Sequence, residues 1–216
     1  HPHLSIDVEE YFQASAMEPF LPREGWEGLD RRSPELVARI LDILSEADVE
    51  ATFFVLGWLA DREPQIVRDI AASGHEVSSH GWDHRRVTSL SPEEFRDQVR
   101  RSRALLQDLS GQPVLGFRAP SFSIVPGYEW ALEVLVEEGY LYDSSLFPVE
   151  MHPDYGYSGV ERDPHVVPGT GGGLAEIPPA TLRLGGRNFP AAGGAYLRFF
   201  PLALIRSALT SAGRRG

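Results

Sequence analysis

Ala51-Thr52-Phe53-Phe54-Val55-Leu56 is a short apolar run without a charged residue. Strands of a parallel sheet are covered on both faces, so they read as unbroken apolar text rather than as alternation. The run therefore predicts a buried parallel strand, and the surrounding text repeats the theme. Upstream, Leu4 to Val8 predicts a first strand. A helix then opens at Ser33, with Pro34 in its first turn and Leu36, Val37, Ile40, Leu41 and Leu44 on one face. Downstream, a helix from Pro64 to Ser73 closes at Gly74, and His75 to Ser79 reads as the next strand. Ser91-Pro92-Glu93-Glu94 is a capping box at the head of a helix that ends before Gly111. Val114 to Arg118, Tyr140 to Tyr142 and Leu174 to Ile177 predict further strands, with a helix from Tyr128 to Glu138 among them. Such alternation predicts an α/β fold, either an open sheet or a closed barrel.

The chain has 216 residues, 42% of them hydrophobic, which suits one folded domain. A formal charge of -11 argues against a nucleic-acid partner, which needs a basic face. With no cysteine, a thiol nucleophile and a thiolate metal site are excluded, so any metal must be held by His and carboxylate. No apolar stretch is long enough to span a membrane. No charged-then-apolar leader is visible either, which favours a cytoplasmic location, although the text begins without Met.

Asp7, His80, Arg118 and Asp143 each fall at or just past the end of a predicted strand. In a barrel those ends share one face, where functional groups gather. His80 and His84 are four residues apart, and on a helical turn that spacing brings both rings to one face, able to share a metal ion. The alternative is a structural or surface pair. Asp7 and Glu9 project from the same side of the first strand, while Glu10 faces the other way. Acids there either mark a solvated loop or supply the carboxylate that two histidines need. Trp58, Trp82 and Phe122 are candidates to stack on a ligand ring, or else core. His75, inside a strand, reads as a hydrogen-bonded structural residue.

Taken in order, the motifs resemble those of the NodB-type polysaccharide deacetylases, the fourth carbohydrate esterase family. Ser5-Ile6-Asp7-Val8-Glu9 stands for the first motif, His80-Gly81-Trp82-Asp83-His84 for the second, Arg118-Ala119-Pro120 for the third and Asp143-Ser144-Ser145 for the fourth. The resemblance runs from Leu4 to about Phe200. It implies a distorted (β/α) barrel of about seven strands over residues 1–184, with a Gly-rich covering segment of the same domain over 185–216. It also implies Asp7 as general base, with Glu9, His80 and His84 as ligands of a divalent metal. Zinc is the first choice of metal, cobalt or nickel the alternatives, and Glu10 the reserve ligand. Arg118 would orient Asp7 and Asp143 would fix Arg118, unless those two form a plain structural ion pair. The backbone N–H of Ser121 would stabilise the oxyanion.

The family's fifth motif, a late Leu-x-His, has no counterpart, because no histidine follows Ile177. That leaves His152 and His165 as candidates for the general acid, and His152-Pro153-Asp154-Tyr155-Gly156 is similar to text of the exopolysaccharide-cluster branch. The late Gly193-Gly194-Ala195-Tyr196 stretch resembles the same branch. The implied substrate is an N-acetylated polysaccharide or oligosaccharide, an exopolysaccharide first. Peptidoglycan, chitin or a cyclic amide are alternatives, as is a catalytically silent carbohydrate-binding relative.

Overall fold

The computed structural model describes residues 3–150, 155–171, 173–191 and 193–213. Its strands and helices follow one another as β1 (Leu4–Val8), α1 (Ser33–Ala47), β2 (Ala51–Val55), α2 (Gly57–Arg62), α3 (Pro64–Ala72), β3 (Glu76–Ser79), α4 (Pro92–Ser110) and β4 (Gly116–Phe117). The chain continues through α5 (Trp130–Glu137), β5 (Tyr142–Asp143), β6 (His165–Val166), β7 (Ala175–Glu176), β8 (Thr181–Leu184), β9 (Arg187–Pro190), α6 (Gly194–Phe199) and α7 (Leu202–Gly213). Seven strands form one sheet in the order β1-β2-β3-β4-β5-β7-β6. Every pairing is parallel except the last, β6 with β7. The expected seven-stranded α/β barrel is the architecture found.

The local rules that predicted the elements operate as expected. All of β2 is buried, and Phe53, Phe54 and Phe117 lie among the largest fully buried side chains. Each contributes about 1.5–3 kcal/mol of burial. The Ser91 hydroxyl accepts from Glu94 N–H while Glu94 reaches back to Ser91 N–H, so both arms of the capping box are present. Asp48 and Gly111, both left-handed, terminate α1 and α4.

Two local readings change. The Gly-rich text after residue 184 is not irregular at its start, since Gly185 and Gly186 form the turn of the β8–β9 hairpin at φ 57° and 82°. A two-residue hairpin turn with both residues at positive φ is the geometry that glycine pairs favour. The hairpin thus straddles residues 184 and 185. His75, expected as a hydrogen-bonded strand residue, lies just before β3 and is buried; its Nδ1 has no hydrogen-bond partner, and its ring lies 5.3 Å from that of Phe53. It is held by packing instead.

The start of α2 shapes the loop that carries the two histidines. Its first N–H groups have no partner within the helix. Gly57 N–H donates to Gly81 O at 2.9 Å and Trp58 N–H to Trp82 O at 2.8 Å. The loop after β3 is thereby pinned to α2, and Trp82 is wedged between Gly57 and the Arg101 guanidinium, 3.4 Å from its ring. A Cβ at Gly57 would overlap the Trp82 ring. Gly57→Ala should therefore cost about 1–3 kcal/mol as an overpacking substitution. Urea unfolding should show a lower midpoint with an unchanged slope.

Candidate metal and catalytic centre

Three acceptor atoms converge at the end of β1. Glu9 Oε2 lies 2.6 Å from His84 Nε2 and 3.8 Å from His80 Nε2. The backbone sets up this meeting. His80 N–H donates to Val55 O at 3.0 Å, fixing the exit of β3 beside β2. Gly81 then turns at φ 80°, and His84 is itself left-handed at φ 58°. The histidines therefore meet across a loop and not on a helical turn, which corrects the expected reason for their proximity. A non-glycine residue in that region carries strain, and such strain clusters at functional sites.

Protonation state follows from the surroundings. His80 Nδ1 is 2.8 Å from Arg118 O, a carbonyl that can only accept, so the ring proton is on Nδ1 and the Nε2 lone pair faces Glu9. Desolvation lowers the His80 pKa, with His84 acting in the same direction against the opposing pull of Asp7 and Glu9. Glu9 Oε2 is buried without a hydrogen bond, and so is His84 Nδ1. A carboxylate oxygen and two imidazole nitrogens in mutual reach suit a small divalent cation.

Glu10 is not available to that cation. Its carboxylate accepts from Ser33 N–H at 2.9 Å and Arg32 N–H at 3.0 Å, which caps α1 from the segment just past β1. β1 ends at Val8, so strand alternation does not govern Glu10; the two amides at the start of α1 hold it away from the other acids.

Asp7 stands beside the trio and is held by Arg118, whose Nη1 donates to Asp7 Oδ1 at 2.7 Å. Desolvation would raise the Asp7 pKa. The Arg118 guanidinium, by its charge and its hydrogen bond, overcomes this and holds the carboxyl below its usual range. Arg118 also donates to Ser5 Oγ at 2.9 Å, Ser144 Oγ at 2.7 Å and Ser144 O at 3.2 Å, and lies 4.1 Å above the Phe54 ring.

The expected Arg118–Asp143 pair is not formed. Asp143 accepts instead from the Ser145 hydroxyl at 2.6 Å and Ser145 N–H at 3.1 Å. The serines come between the two charges: Ser144 satisfies Arg118, while Ser145 Oγ accepts Ala119 N–H at 2.8 Å. Beyond Asp143 lies Glu176, fully buried and partnered with it in register. Sequence reasoning passed over Glu176, although an acid inside an apolar strand is the signal that singled out Asp7.

Ser121 and Phe122 are consecutive left-handed residues, φ 54° and 51°. The turn is braced by Ser123, whose hydroxyl donates to Pro120 O and accepts Val87 N–H. Ser121 Oγ meets Ser15 Oγ at 2.7 Å.

Of the aromatic candidates, Trp58 is core against Phe12 and Trp26, and Trp82 is sealed between Gly57 and Arg101. Phe122 alone is part-exposed, packed on Phe147 and Tyr155. His165 lies on β6 in a separate cavity of about 320 Å³, with Glu129 and Tyr157. That cavity is lined by none of Asp7, Glu9, His80 or His84. His152 lies outside the described residues.

A model of the family described as polysaccharide deacetylase matches residues 25–133, half of the chain. The chain belongs to the polysaccharide deacetylase family. A second model, a domain of unknown function (DUF3473), matches residues 144–216. Asp7 and Glu9 precede the first match, so the structure, not the family match, unites them with the histidines. A peptidoglycan-N-acetylglucosamine deacetylase of Bacillus cereus is 34% identical over 100 residues, 46% of this chain and 36% of that protein. The peptidoglycan-N-acetylglucosamine deacetylase PgdA of Listeria monocytogenes is 34% identical over 91 residues, 42% of this chain and 20% of that protein. The chain thus spans about a third or less of these relatives. A solved structure from Mycobacterium smegmatis, assigned as a polysaccharide deacetylase, superposes with a TM-score of 0.63 at 25% identity. It covers 85% of this chain and 62% of that one.

Zn²⁺ added to metal-free protein should raise its melting temperature, because a ligand bound by the folded state alone stabilises it. His80→Ala or His84→Ala should lose more than the 10–100-fold in affinity typical of removing a supporting partner. Differential scanning calorimetry with and without chelator measures both.

Proposed function

We propose that the chain is a metal-dependent hydrolase that removes N-acetyl groups from N-acetylglucosamine-type units of a polysaccharide. The observation that carries this reading is the placement of Asp7, clamped by Arg118, beside the trio of Glu9, His80 and His84. The deacetylase relatives support the reaction class. An exopolysaccharide is our first choice of polymer, supported by the similarity of the His152-Pro153-Asp154-Tyr155-Gly156 text and the late Gly-Gly-x-Tyr stretch to that branch.

Glu9, His80 and His84 would hold the ion, Zn²⁺ by preference, with Co²⁺ or Ni²⁺ as alternatives for the same donor set. A bound ion of this kind supplies Lewis acidity, making water a nucleophile near neutral pH and polarising the acetamide carbonyl. Asp7, kept ionised by Arg118, accepts the proton of the attacking water at its free oxygen. The Ser121 N–H donates to the oxygen on which charge develops, in a turn whose strained backbone is already fixed by Ser123. The leaving amine needs a proton, and His152 is our candidate donor.

Acetate release from N-acetylated oligosaccharides, with Zn²⁺ or Co²⁺ added, tests the reading. Asp7→Asn should lower kcat by about 10²–10⁴-fold, the range for removing a general base, while metal content stays unchanged. Metal-loaded protein that releases no acetate from exopolysaccharide, chitin or peptidoglycan fragments would exclude the enzyme and leave the fold intact.

A further inference from the structure

Asp143 and Glu176 are both fully buried, on adjacent strands and opposite one another in register. Arg118 does not neutralise them directly, because it commits its N–H groups to Asp7, Ser5 and Ser144. Two carboxylates facing each other in a dry interior cannot both be ionised without a large penalty. The hydrogen bonds show which one gives way. Asp143 accepts twice from Ser145, as a carboxylate does. Glu176 Oε1 accepts Leu146 N–H at 3.1 Å, whereas its Oε2 is buried and receives no hydrogen bond. That is the condition of an oxygen carrying its own proton. Desolvation and the neighbouring Asp143 both push Glu176 well above the usual carboxylate range.

We propose that Glu176 is a positioning residue: as a neutral acid it donates a hydrogen bond to Asp143, and this clasp sets the turn that aims Arg118 at Asp7. The connections are continuous. Asp143 fixes the Ser145 hydroxyl and N–H, and Ser145 Oγ receives Ala119 N–H, holding the segment that leads to Pro120 and Ser121. Ser144 presents its carbonyl and hydroxyl to Arg118, and its own hydroxyl donates to Ile177 O at 2.8 Å, one residue beyond Glu176. Ile177 N–H returns to Asp143 O at 2.8 Å. Ser144 thus hangs between Ile177 and the guanidinium, and Ser145 between Asp143 and the Ala119 amide next to Arg118. An ionised Glu176 would repel Asp143 and loosen the turn from which Arg118 hangs.

The inference rests on the reading of Asp7 as the base, and two independent measurements separate them. The first compares wild type with Glu176→Gln and Glu176→Ala in acetate release and metal content. Gln keeps a neutral side chain with a hydrogen-bond donor, so E176Q should retain most of the wild-type kcat. E176A should lose about 10–100-fold, the usual consequence of removing a supporting partner. That loss should fall on kcat with KM and metal content nearly unchanged, a split that general destabilisation does not produce. E176Q as impaired as E176A, or E176A with full kcat, would overturn the proposal. The second is an infrared difference spectrum of wild type against E176Q at neutral pH, which needs no substrate and no alanine variant. It should contain the carbonyl stretch of a protonated side-chain carboxyl, absent from E176Q. If wild type lacks that band the clasp is wrong, whatever the activity. If the band is present in a chain that releases no acetate, the clasp stands and the deacetylase reading fails.

Discussion

A guanidinium buried across a barrel must find an acceptor for each N–H that water no longer serves. Arg118 finds them on strands that are not neighbours: Ser5 and Asp7 on β1, and Ser144 just past β5. In the sheet order, β1 is an edge and β5 stands four strands away, so these bonds cross the interior that the ladder pairs only border. The Phe54 ring beneath the guanidinium gives it an apolar floor with a favourable quadrupole. One side chain therefore does two things. It ties the first strand to the far side of the barrel, and it keeps the acid at the end of that strand ionised. Lysine could not substitute, since its point charge lacks the planar fork that reaches three residues at once.

The histidine loop is built under a second constraint, the unsatisfied amides at the start of α2. A helix emerging directly from β2 exposes N–H groups that need acceptors, and the carbonyls of Gly81 and Trp82 supply them. This explains why the loop takes a path that obliges His84 into the left-handed region. The cost of that conformation is offset by the α2 bonds and by burial of Trp82 between Gly57 and Arg101. Side chains presented on a loop are usually less well fixed than those on regular elements. Here the loop borrows rigidity from the helix behind it.

How much of this could be read in advance depended on the range of each interaction. The elements were legible because periodicity and capping are local: β2 as an unbroken apolar run, α4 from Ser91 and Glu94. The strand-end positions of Asp7, His80 and Arg118 were also legible, and in a barrel that coincidence points to one face. What escaped is non-local or competitive. Glu10 lies past the end of β1, so alternation does not place it; its task of capping α1 depends on Ser33, which local patterns cannot connect to it. The Arg118–Asp143 pair failed because two intervening serines offered both charges nearer partners. The spacing of His80 and His84 suggested a helical turn, yet Gly81 at positive φ made a loop with the same outcome. Gly185-Gly186 is a hairpin signal that the Gly-rich composition of the covering segment hides.

The acids of the site divide into two kinds, and the division has a purpose. Asp7 is pushed down by Arg118 and Glu176 is pushed up by burial beside Asp143. Environments that separate the protonation states of nearby carboxyls are how a single pocket assigns them different tasks. With Glu176 carrying its proton, the carboxylate that Arg118 holds directly, at 2.7 Å, is Asp7. An ionised Glu176 would add a negative charge on the far side of the guanidinium, drawing it toward β7 and away from Asp7. Keeping that proton in place directs the field of Arg118 toward the acid that must remain charged.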